Sequence, residues 1–100
     1  MNLYWVVTKD HDEDCFIVAR NRMQAERFHE GNEGYDPGDA MATLVIRIPK
    51  HIEIENGWPS EENLISLGAI IVGSVEGQRI VAVKGQLYCY GMCELLKVIQ

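Results

Sequence analysis

The densest run of chemically capable side chains is Asp10, His11, Asp12, Glu13 and Asp14, four carboxylates and an imidazole followed at once by Cys15. Clustered carboxylates can hold a hard cation through oxygen, and Asp36 or Asp39 of a later loop could add to such a set. The spacing departs from a calcium loop in two places. With Asp10, Asp12 and Asp14 at the first three ligand positions, Cys15 falls where the turn needs glycine and Asn21 where a bidentate glutamate belongs.

His11, His29 and His51 raise a second chemistry, a metal-dependent hydrolase or nuclease in which a histidine serves as general base. The motifs that position such groups, HExxH, GxSxG, a Walker loop or GxGxxG after a strand, do not occur. His29, in Phe28-His29-Glu30, falls on the apolar stripe of a helix, where it packs. Cys15 follows Asp14, whose charge disfavours the thiolate; Cys93 could gain some activation from the start of a last helix. Cys89 and Cys93 are four apart around Gly91, with no histidine nearby to complete a zinc set. No catalytic residue, metal or cofactor is assigned.

The remaining chemistry is recognition. Tyr35 and Trp58 sit in turn-forming acidic segments, "YDPGD" and "NGWPSEE", and an aromatic ring rimmed by charge can anchor a protein contact. Trp58 could equally plug the end of a core. Fifteen Asp and Glu against nine Lys and Arg give a net charge of -6. That sign opposes attraction to nucleic acid or anionic lipid and suits a basic protein surface.

At 100 residues, 47% of them hydrophobic, the chain has the size of one domain over 1–100. No apolar run approaches the roughly 18 residues that cross a bilayer, and the start lacks a secretory pattern. The expected location is the cytoplasm, that of a host cell if the chain is phage-encoded.

The elements that would carry these residues follow from local pattern. "LYWVVT" and "CFIVAR" are aromatic and β-branched, the signature of two strands, with the acidic hexapeptide as a projecting hairpin loop. Asn21 and Gln24 open a helix that Gly31 would stop, its Arg22, Glu26, Arg27 and Glu30 facing water. "GNEGYDPGDA" is turn-rich, and "ATLVIRIP" alternates Ala42, Leu44, Ile46 and Ile48 against Thr43, Val45 and Arg47. Pro59 and Ser60 start a short helix that buries Leu64 and Leu67 and ends at Gly68. Two or three antiparallel strands follow, with turns at Glu76-Gly77 and Lys84-Gly85, and Met92, Leu95, Leu96 and Ile99 have helical spacing.

The order is approximately ββαβαβββα, an α+β domain with a mainly antiparallel sheet and two or three short helices. An exposed edge in the second half could pair with another subunit, so a homo-oligomer is compatible with the pattern.

The leading functional expectation is a small acidic, non-catalytic module that binds a larger protein with a basic surface. The contact residues would be Asp10, Asp12, Glu13, Asp14, Glu33, Tyr35, Asp36, Asp39 and Trp58. In size and charge alone the chain is similar to small phage and mobile-element inhibitors of bacterial defence, anti-CRISPR proteins among them, which share no common motif. The alternatives are a metal-binding or metal-dependent hydrolase domain using the Asp10 to Asp14 carboxylates, and a small-molecule sensor.

Overall fold

The computed structural model describes residues 1–91 except Asp10 and Asp12. Eight elements follow in order: β1 (Asn2–Thr8), β2 (Cys15–Ala19), α1 (Arg22–Glu33), β3 (Ala40–Arg47), α2 (Glu61–Ser66), β4 (Ile70–Val75), β5 (Gln78–Val83) and β6 (Gln86–Gly91). The fold is α+β, and the strands divide between two antiparallel sheets of three, ordered β2-β1-β3 and β4-β5-β6. The proposed helix through Met92, Leu95, Leu96 and Ile99, and Cys93 with it, lies outside the described residues.

Sheet 1 (β2-β1-β3) is a middle layer. On one face Tyr4, Val6, Ile17, Ala19, Ala40 and Ala42 meet Ala25 and Phe28 of α1. On the other, Leu3, Phe16 and Val18 pack with Val81 and Val83 of sheet 2 (β4-β5-β6), with Leu64 of α2 and with Leu67 at its C-cap. Strand β2 is therefore apolar on both faces rather than alternating. Its outer edge is closed as well, by paired backbone hydrogen bonds between Val18 and Gly57 at 2.8 and 2.9 Å. Gly57 has φ +112°, and a Cβ there would stand 3.2 Å from the Phe28 ring, so a side chain would be strained at the backbone and would press the ring aside by a few tenths of an ångström.

Local signals explain the element ends. The Asn21 side chain accepts from the Gln24 N–H, and Ser60 forms a reciprocal capping box with Asn63. Both two-residue turns of sheet 2 place their central residues at positive φ, Glu76 and Gly77 at 50° and 80°, Lys84 and Gly85 at 51° and 78°. These values match a type I′ turn, whose twist suits a two-residue hairpin.

Three expectations need correction. Gly31 does not stop α1; the helix continues to Glu33, and Gly34 at φ 76° ends it, its N–H and that of Tyr35 both donating to the Glu30 carbonyl. Gly31 remains helical because a glycine costs about 1 kcal/mol in a helix, less than the closing contacts of the final turn return. The alternation in β3 does not hold along its length. Leu3 pairs with Ile46 and Tyr4 with Leu44, so Val45 is an extra residue that shifts the faces, and Leu44 is exposed. Glu30, expected in water, is buried at 3% exposure.

Candidate functional site

Register places the two acidic loops together. Val6 pairs with Cys15 and Thr8 with Ala40, so the loop before β2 and the loop before β3 leave the same end of sheet 1. The α1 side of this end is organised around Cys15 and His29.

The first loop folds back on the strand instead of projecting freely. The backbone N–H of Thr8 donates to Asp14 Oδ1 at 3.1 Å, the N–H of Glu13 to the Thr8 hydroxyl at 3.3 Å, and the N–H of His11 to the Thr8 carbonyl at 3.0 Å. His11 Nδ1 lies 2.8 Å from Asp14 Oδ2. At 13% side-chain exposure, Asp14 acts chiefly as the acceptor that shapes the loop. Glu13 remains half-buried, and Asp10 and Asp12 lie outside the described residues.

The second loop is closed by the Asp39 carboxylate and by one from the helix. The Asp36 N–H donates to Asp39 Oδ2 at 3.1 Å, and the Asp39 N–H returns to the Asp36 carbonyl at 3.1 Å. Glu30 reaches across from α1 to accept from the N–H groups of Gly38 at 2.8 Å and Ala40 at 3.0 Å, and it pairs with Arg27. Burial alone would push its carboxyl up; these donors outweigh burial and hold it below the usual glutamate value. Glu26 extends the same pattern, accepting from the Ala42 N–H at 2.9 Å.

Between the loops, Cys15 Sγ lies 3.4 Å from His29 Nδ1. Burial pushes the thiol up to about 12, with Glu33, Asp14 and Glu13 adding to the rise against a hydrogen bond from Trp58. Which of the two donates is set by the imidazole tautomer, and the ring nitrogen that faces away from the thiol is Nε2. That nitrogen is buried and has no partner among the described residues. Tyr35 stacks near His29, ring centroids 6.3 Å apart, and Trp58 packs edge-on to Phe28 at 5.3 Å.

Most of the candidate contact residues thus share one end of the fold. Glu13, Asp14 and Glu33 all act electrostatically on Cys15, Trp58 bonds to it, and Tyr35 stacks beside its histidine partner. Asp36 and Asp39 occupy the adjoining turn, Asp36 exposed and Asp39 half-buried. Sequence reasoning passed over Glu30, whose only local signal was its place one residue beyond the apolar His29. Among the described residues, no three His, Cys, Asp or Glu side chains are arranged to hold a metal ion. At the opposite end of sheet 1, an open groove of about 540 Å³ has a mixed lining, with Ile48, Ile52 and Ile54 beside Lys50, Glu53 and Glu55.

The raised thiol makes Cys15 a slow nucleophile. At pH 8 a thiol near 12 is ionised in about one molecule in ten thousand, against roughly one in four for an ordinary cysteine. Alkylation of Cys15 in the native protein should therefore run on the order of a thousandfold slower than in the unfolded chain. Peptide mass spectrometry after timed labelling reads this directly; equal rates would remove the neutral-thiol arrangement.

No protein-family model, curated protein or solved structure matches this chain.

Proposed function

We propose that the protein is a non-catalytic binding module whose acidic end of sheet 1 docks on a Lys- and Arg-rich surface of a larger protein. The observation that carries this reading is the strand register, which sets two acidic loops side by side with Glu13, Asp14 and Glu33 about a common point. Tyr35 and Trp58, both half-buried there, add apolar area to a charged rim. The neutral thiol supports binding over covalent catalysis. A partner surface of this sign commonly serves nucleic acid, so the module would act as an inhibitor by covering it, as an anti-defence protein of a phage or mobile element does.

The test separates recognition charges from structural ones. Asp14, Asp39 and Glu30 hold backbone groups and should be left intact. The triple variant Glu13→Gln, Glu33→Gln, Asp36→Asn changes the recognition charge alone. With the partner recovered by affinity purification from the native host, association should slow by on the order of tenfold at low salt, with dissociation little changed. The difference should shrink as salt is raised. Association by the triple variant at the unmodified rate at low salt would refute the acidic surface.

A further inference from the structure

Sheet 1 ends in two outer strands, β2 and β3. An outer strand presents a row of backbone N–H and C=O groups that can pair with a strand of another chain. On β2 that edge is occupied by Gly57. The outer edge of β3 has no strand beside it among the described residues; there the Ala40 N–H donates to Glu30 Oε2 at 3.0 Å and the Ala42 N–H to Glu26 Oε2 at 2.9 Å. The spacings of helix and strand match. Four residues advance a helix by about 6 Å and two advance a strand by about 7 Å, so α1, running antiparallel to β3, meets every second edge N–H with every fourth side chain. The next pair in the series is Arg22 and Leu44, and arginine has no acceptor to offer. At that point the extra residue Val45 interrupts the strand instead.

We propose that Glu26 and Glu30 guard the β3 edge against strand addition, and that the partner they exclude is β3 of a second copy. The strand invites such pairing. Residues 40–47 are apolar apart from Thr43 and Arg47 and hold none of the chain's fifteen acidic residues. Met41 is 67% exposed and Leu44 45%. Two such strands laid antiparallel over Ala40 to Leu44 would bring no charges together and would satisfy each other's backbone groups. The carboxylates prevent this by holding the donors first. An incoming strand would replace a charged acceptor with a neutral carbonyl, and charge-assisted hydrogen bonds are about twice as strong as neutral ones.

Glu26 is the position for the test, because Glu30 also holds Gly38 and Arg27. Amide hydrogen exchange and sedimentation velocity on the full chain at pH 7 supply the readouts. In the unsubstituted protein the Ala40 and Ala42 amides should exchange as slowly as those of Met41 and Thr43, which alternation turns toward β1. Exchange at the rate of free amides would overturn the proposal, whether or not any variant folds. Glu26→Ala should speed Ala42 exchange by on the order of tenfold in dilute solution. At about 1 mM it should form larger species than the unsubstituted chain, with Ala42 exchange slowing again as they form. Glu26→Gln keeps an acceptor oxygen and should behave as the unsubstituted protein does. Adding Met41→Lys to Glu26→Ala should restore the original size, since a lysine on an edge strand opposes pairing. Circular dichroism confirms that each variant is folded. A Glu26→Ala chain that exposes Ala42 without associating, or associates with no effect on Ala42, would overturn the proposal.

Discussion

Glu30→Ala is expected to destabilise the protein by about 3 kcal/mol, a fall in melting temperature of roughly 15 °C for a domain of this size. The carboxylate does three jobs at once. It accepts from Gly38 and Ala40, neutralises Arg27, and ties the last turns of α1 to the loop that enters β3. Alanine leaves the Ala40 N–H buried without an acceptor, and an orphaned buried donor costs about 1–3 kcal/mol. Glu30→Gln keeps an acceptor oxygen but turns an amide donor toward the other N–H groups, so a loss of about 2 kcal/mol is expected.

The pH dependence follows from the lowered carboxyl. A folded-state value below the ordinary 4.5 means that the unfolded chain binds the proton first as acid is added. Glu30 therefore contributes its full ionic stabilisation above about pH 4.5 and loses it as pH falls through the folded value. Urea unfolding at pH 7 and at pH 3 should show the gap between wild type and Glu30→Gln narrowing at the lower pH. A melting temperature for Glu30→Ala within 3 °C of wild type would show that the carboxylate does not hold the loop.

The other large effect lies between the sheets. Phe16, on β2, has its ring centroid 4.9 Å from that of Trp5, 5.0 Å from Tyr88 and 5.5 Å from Tyr90, all in edge-on arrangements. Trp5 also meets Tyr88 at 4.9 Å. These rings join the β1-β2 hairpin to β6, elements some seventy residues apart in the chain. Phe16→Ala removes a buried ring and its aromatic pairings, so about 4 kcal/mol should be lost. Burial raises the Tyr88 phenol above its ordinary 10, and in Phe16→Ala its titration should move back toward that value. Spectrophotometric titration follows the phenol and chemical denaturation the stability. A loss below 2 kcal/mol with Tyr88 unmoved would mean that the sheets are joined by other contacts.

What the chain declares locally is declared within a few residues. The Asn21 and Ser60 caps and the turns at Glu76-Gly77 and Lys84-Gly85 arise from hydrogen bonds and backbone preferences spanning at most a turn, and the strands announce themselves by β-branched and aromatic side chains, so residue type alone carried them. The acidic and aromatic character of the candidate contact residues was equally legible, being a matter of composition. Their gathering at one end was not, because it depends on Thr8 pairing with Ala40 across the sheet. The division into two sheets, the slip at Val45 and the burial of Glu30 were decided in the same way, by partners distant in sequence. A carboxylate on a helix reads as solvated until a returning loop offers it N–H groups, and a glycine reads as a stop until the turn beyond it closes on better contacts. Tertiary structure settled these points because their energies reside in long-range pairs, which no short window of residues contains.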